Sequence, residues 1–162
     1  MTPNLPPGWK SVQIGKLCKL INGKAFKPED WKKSGLPIIR IQNLNNKTAA
    51  FNYFGGIPEP KHLVQNGQLL FAWSGTPGTS FGAHVWAGPT GVLNQHIFKI
   101  EFDENILDKV FFRHAINQKL DELINIAQGG VGLRHVTKGK FESTQISFPP
   151  IQEQKRIVAR LD

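Results

Sequence analysis

The chain has 162 residues, with 20 lysines and arginines against 12 aspartates and glutamates, for a net charge of +8. That length suits one domain with an ordinary hydrophobic core, and the single cysteine, Cys18, excludes an internal disulfide framework or a cysteine zinc cluster. No apolar run reaches membrane-spanning length, and Met1 to Pro7 lacks a signal-peptide hydrophobic region, so a cytoplasmic location with no membrane partner is expected.

After the proline-rich lead-in Leu5 to Gly8, Trp9, Val12, Ile14 and Leu17 start the first apolar pattern, open between strand and short helix. Gly23 ends it, and Lys24 to Gly35 reads as a loop with a helical turn around Pro28, Glu29 and Asp30. The β-branched run Pro37 to Gln42 predicts a strand, with Asn43 to Asn46 as its turn. If Ile39 and Ile41 face inward, Arg40 and Gln42 share the outer surface. Phe51 to Pro60 reads as irregular. Asn66-Gly67 signals a turn before a strand over Gln68 to Trp73, and Ser74 to Gly82 is a loop of glycines and hydroxyls.

Strands follow at Ala83 to Trp86 and Leu93 to Phe102, separated by Ala87 to Gly91. From Asn105 or Asp108 to Ala127 the apolar spacing is helical, with Asn117-Gln118 as a candidate break. A second glycine-rich loop, Gln128 to His135, precedes a turn or short helix over Lys138 to Ser143 and a last strand over Gln145 to Phe148. Pro149-Pro150 stops that strand, and the second proline suits the opening of a helix, with Glu153 favourable near its positive end. Ile151, Ile157, Val158 and Leu161 form a narrow apolar stripe beside Lys155, Arg156 and Arg160, more like a coiled-coil seam than a globular face. The sum is an α+β fold: a curved, mostly antiparallel sheet with one long helix or helix pair and a C-terminal helix.

Charge is unevenly placed. Nine basic residues in the first 50 (Lys10, Lys16, Lys19, Lys24, Lys27, Lys32, Lys33, Arg40, Lys47) face only Glu29 and Asp30, the footprint of a polyanion partner. Phe148-Pro149-Pro150-Ile151 has neither the polar first residue nor the aromatic last residue that amino-methyl transfer needs, and no cofactor glycine turn follows a strand. The Ser74 to Gly82 loop lacks the Gly-Lys-Ser/Thr ending of a nucleotide-hydrolysing phosphate cradle. The five histidines lack metal-ligand spacing, and no carboxylate and lysine grouping fits a nuclease. An enzyme, a metal site and a cofactor are therefore not expected. Asn94-Gln95-His96 has side chains that pair well with adenine, but lies inside an apolar strand, where His96 is assigned to the core. Trp9, Trp73 and Trp86 are assigned to anchoring; Trp31, among lysines, stays open between anchoring and stacking.

The run Pro149-Pro150-Ile151-Gln152-Glu153-Gln154-Lys155-Arg156-Ile157-Val158-Ala159-Arg160-Leu161-Asp162 resembles the junction after a target recognition domain in the DNA specificity subunits of type I restriction–modification enzymes. The resemblance continues upstream through Trp9, Gly23, Leu36 to Asn43, Gly67-Gln68-Leu69-Leu70, Ser74-Gly75, Asn94-Gln95-His96 and Gly129-Gly130. It implies a recognition domain over 1–148 and the start of a spacer helix over 149–162, in a single-domain fragment or half-subunit. It further implies a non-catalytic protein that reads half of a bipartite duplex DNA target. Methyltransferase and restriction subunits would be partners, as would a second recognition domain or an identical copy through the spacer.

On that reading the DNA face comprises Arg40, Gln42, Asn43, Lys47, Ser74, Thr76, Thr79, Ser80, Phe81, Arg134, His135, Lys138 and Lys140, with phosphate contacts from Lys24, Lys32 and Lys33. Ile151, Ile157, Val158 and Leu161 form the partner interface. The rival readings are a docking module for a catalytic subunit, whose basic charge is incidental, and an RNA-binding domain favouring single strands.

Overall fold

The computed structural model describes residues 4–44, 46, 48–74, 80–126 and 137–161. Two compact units emerge: one from the described residues before Leu20 and after Glu101, and one from Leu20–Glu101.

The first unit pairs β1 (Lys10–Gln13) antiparallel with β11 (Gln145–Phe148), Lys10 opposite Phe148 and Gln13 opposite Gln145. α1 (Ile14–Leu17) follows β1 directly, so the first apolar pattern is both strand and helix. α3 (Lys109–Ile126) runs through Asn117-Gln118 without a break. Its start is set by Asp108, whose Oδ1 accepts the N–H groups of Val110 and Phe111, each at 3.0 Å, meeting two donors that a helix start leaves unpaired. α4 (Lys138–Ser143) is capped likewise by Thr137, whose hydroxyl accepts the Lys140 N–H at 3.2 Å. α5 (Ile151–Leu161) follows Pro150. Ile14, Leu107, Phe112, Ile116, Phe141 and Ile146 are buried in this unit, and Phe112 meets Phe102 edge-on at 5.3 Å.

The second unit carries a four-stranded sheet in the order β2 (Cys18–Asn22), β10 (Ile97–Phe102), β7 (Leu69–Ala72), β8 (Gly82–Val85). Its other sheet runs β3 (Trp31–Lys32), β5 (Asn52–Phe54), β4 (Leu36–Ile39), β9 (Gly91–Leu93), β6 (Leu63–Val64). β7 is antiparallel to β10 and β8, whereas β4 is antiparallel to β5 and parallel to β9. Every residue of β7 is buried, as its unbroken apolar run requires of a strand covered on both faces. Leu70 joins Ile39, Val64, Trp86, Leu93 and Ile97 on one side. Phe71 stacks on Phe98 at 6.3 Å and meets Phe81 edge-on at 6.2 Å. Gly67, at φ +92°, takes the left-handed position of the turn before β7.

The α+β class and mostly antiparallel pairing expected from sequence are observed, distributed among the described residues over three sheets. Some local expectations change, and Trp31–Lys32, within the stretch read as a loop, is strand β3. Strand β4 stops at Ile39, and Ile41–Leu44 is a helical turn, α2, because the Asn43 side chain takes the N–H of Arg40. Phe51 to Pro60 contains β5, held between β3 and β4. The strand expected over Leu93 to Phe102 is two strands: the N–H groups of Asn94 and Gln95 go to Ile39 O and Lys24 O, so the chain crosses there between the two sheets.

Candidate nucleic-acid interface

The basic first third acquires its geometry from the edge of the five-stranded sheet. Gly23 and Lys24 run against Leu93 to Gln95; a Cβ at Gly23 would lie 1.8 Å from the Asn94 carbonyl oxygen, so only glycine permits that approach. Lys24 is thereby held where its Nζ lies 5.7 Å from the ring centroids of both Phe26 and Phe54, which are 5.0 Å apart. Phe54 stands opposite Trp31 in the strand register, and Tyr53 opposite Lys32. Lys24, Lys32 and Lys33 are exposed, and Trp31 keeps 40% of its surface exposed. Of the three lysines assigned to phosphate, Lys24 thus stands beside the Phe26 and Phe54 rings, Lys32 is placed on the edge strand by the β3–β5 register, and Lys33 follows it in the chain.

The Arg40 to Asn43 turn is less available than sequence implied. Asn43 is buried: its Oδ1 accepts the Arg40 N–H at 3.0 Å, and its Nδ2 donates to Ala49 O and Ala50 O at 3.4 and 3.3 Å. Its amide holds the loop together and is not presented to a ligand. The half-buried Arg40 donates from Nη2 to Ala50 O at 3.3 Å, and its Nε is buried with no partner among the described residues. Gln42 is exposed. This turn walls a cleft of about 290 Å³ with Phe51 and the Val85 to Pro89 segment. The buried Trp86 indole donates there to Pro89 O at 2.8 Å, so Trp86 is an anchor, as expected.

Ser74 is half-buried, but Ser80 and Phe81 are buried, Phe81 against Phe71. Loop composition had placed both on the surface; instead Phe81 packs into the core as the chain enters β8. Thr76, Thr79, Lys47, Arg134 and His135 lie outside the described residues. Lys138 and Lys140 are exposed on α4 in the first unit. On α5, Ile151, Ile157 and Val158 are half-buried and Leu161 is 56% exposed, beside the exposed Lys155, Arg156 and Arg160.

Sequence reasoning under-read the Asn94-Gln95-His96 turn. His96 has φ +76°, outside the range most side chains adopt, with its ring 4.7 Å from that of Trp73, while Gln95 is exposed. Asn94 Oδ1 and His96 Nδ1 are buried without a partner among the described residues. Three polar residues in succession inside an apolar run were the available signal of a break.

Burial also perturbs three titratable groups. It lowers the pKa of His62, helped by nearby Lys61, Lys24 and Lys99 against an opposing Glu59. It lowers that of Lys99, whose Nζ donates to Leu63 O at 2.8 Å, partly offset by Glu101. It pushes the Cys18 thiol up to about 12, with Glu142 adding to the effect. Among the described residues, no three His, Cys, Asp or Glu side chains stand together as a metal site, and no helix is long and apolar enough to cross a membrane.

The type I restriction modification DNA specificity domain family matches residues 6–162. The chain belongs to that family. Among curated relatives of this specificity-domain chain, the type I restriction enzyme EcoBI specificity subunit of Escherichia coli is 31% identical over 95% of this chain and 32% of that protein. The MjaVIII specificity subunit of Methanocaldococcus jannaschii is 27% identical over 94% of this chain and 35% of that protein. The specificity-domain chain therefore spans about a third of the length of these relatives. The fold is that of the HsdS subunit from Thermoanaerobacter tengcongensis, with a TM-score of 0.73 at 21% identity over 99% of this chain and 38% of that one. The S subunit of a type I system from M. genitalium gives 0.64 at 18% identity over 99% of this chain and 41% of that one.

Proposed function

We propose that this chain is a non-catalytic double-stranded DNA reader that takes one half of a bipartite target within a type I restriction–modification complex. Membership of the specificity-domain family supports the class of ligand. The observation that carries the reading to residues is the exposed Lys24 beside the Phe26 and Phe54 rings, with the exposed Lys32 and Lys33 on and just after the edge strand β3: ammonium groups for phosphates at a sheet edge. Gln42 and Arg40, with Ser74 at the entrance of its loop, are the base-reading candidates of this unit. Arg134, His135, Thr76, Thr79 and Lys47 remain candidates from sequence, and Lys138 and Lys140 from α4. Asn43, Ser80 and Phe81 support the reading surface from behind.

Residues 1–148 then act as the recognition domain and α5 as the root of a spacer helix. Its Ile151, Ile157, Val158 and Leu161 stripe pairs with a second recognition domain's helix or an identical copy, in a complex with methyltransferase and restriction subunits. The setting is the cytoplasm.

The test compares duplex DNA, the separated strands and RNA of one sequence in equilibrium binding at several salt concentrations. A DNA reader prefers the duplex, with affinity falling as salt rises. Preference for single strands would favour an RNA-type stacking role for Trp31, and absence of nucleic-acid binding, beside binding of a methyltransferase subunit, would favour a docking module.

A further inference from the structure

α5 opens around a glutamine that is completely buried. Gln154 Oε1 accepts the backbone N–H of Asp108 at 2.7 Å, and its Nε2 donates to Ile106 O and Pro149 O, each at 2.9 Å. Both amide hydrogens and the carbonyl are engaged, so the side chain is fully satisfied only when all three backbone groups are in place.

Those groups mark three places in the unit. Asp108 is the cap of α3, Ile106 lies in the turn before it, and Pro149 lies in the lead-in to α5. One side chain thus ties the root of α5 to the entrance of α3 and to its own approach. The half-buried Ile151, Ile157 and Val158 define a face for the helix, but apolar contact is non-directional; the three hydrogen bonds also set an angle.

We propose that Gln154 is a positioning residue that fixes the direction in which α5 leaves this unit. The inference rests on α5 being the root of a spacer for its consequence in DNA reading. A tilt of about 10° at the root of a helix displaces it by about 1.7 Å for each 10 Å of its length, against a spacing of about 3.4 Å between base pairs along B-DNA. The amide is then a determinant of how sharply the separation of two half-sites is defined.

The experiment places nitroxide labels at Asp121→Cys on α3 and Arg160→Cys on α5, both exposed positions, in a Cys18→Ala background, and reads the distance distribution by pulsed electron resonance. No DNA is involved, so failure of the DNA-reading assignment leaves the result intact. Gln154→Met keeps the length but removes all three bonds, and is expected to widen the distribution about twofold in a folded protein. Gln154→Glu keeps the volume: its carboxylate opposes two carbonyls, whereas its protonated form can again donate to one while accepting from Asp108. The distribution is expected to be wide at neutral pH and to narrow on acidification. The wild type at both pH values controls for titration of Asp108 at the α3 cap and of Glu153, which pairs with Arg156 on α5 itself. An unchanged, narrow distribution in both variants would overturn the proposal. So would global unfolding of Gln154→Met by circular dichroism, or a Gln154→Glu distribution indifferent to pH, since each would make Gln154 a packing residue.

Discussion

Asn43 Oδ1 accepts the backbone N–H of Arg40 at 3.0 Å, and that one bond turns the chain at the end of β4, where a strand could otherwise have continued to Gln42. With its Nδ2 on two further carbonyls, Asn43 holds the loop that carries Arg40 and Gln42. Asn43→Ala removes the three hydrogen bonds of a buried amide, leaving the Arg40 N–H without its acceptor, and should lower unfolding free energy by about 1–3 kcal/mol. Urea denaturation measures the loss. Any base preference should persist in whatever fraction remains folded; a changed preference with unchanged stability would instead make Asn43 a reader.

Lys24, Lys32 and Lys33 should act on all DNA sequences alike. Lys32→Ala is expected to weaken every duplex by a similar factor and to reduce the slope of log affinity against log salt by about one. Measuring that slope for two unrelated duplexes decides the matter. A loss confined to one sequence would move Lys32 from the phosphates to the bases.

His62 gives a pH signature. Its folded pKa lies below its ordinary 6.5, so the unfolded chain takes up the proton first. Its contribution to stability is complete above that ordinary value and is lost as pH falls through it towards the lower folded value. His62→Gln should therefore show a flatter stability curve than the wild type between pH 7.5 and about 5, in paired urea titrations. Parallel curves would contradict this.

Cys18 should be inert in the folded protein. With its thiol pushed up to about 12 it holds almost no thiolate at pH 8, so an aromatic disulfide reagent should react at least about tenfold more slowly with the native chain than with the urea-unfolded one.

What could be read in the sequence was what depends on neighbours along the chain. A helix start at Asn105 or Asp108, the Asn66-Gly67 turn and the stop at Pro149-Pro150 each depend on a few neighbouring residues, and each stands close to where it was read. The end of β4 was missed because a β-branched run carries no trace of a side-chain bond from Asn43 back to Arg40. β5 was missed because Asn52–Phe54 becomes a strand only between two others. The candidate site divides in the same way. Basic charge in the first third was visible, but the place of Lys24 beside Phe26 and Phe54 follows from the close approach of Gly23 to Asn94, and that of Lys32 opposite Tyr53 from the β3–β5 register. Gln154 carried no signal of its own in the sequence, since two of its three partners, Asp108 and Ile106, lie more than forty residues upstream.

The central claim is that this chain reads duplex sequence. The most direct measurement is selection from a pool of random duplexes at low and near-physiological salt, followed by sequencing of the retained DNA. A short enriched motif that survives the higher salt is the predicted result, and Gln42→Ala and Arg40→Ala should then alter the motif itself. Retention at low salt alone, with no motif, would contradict sequence reading and reduce the lysine edge to an electrostatic surface.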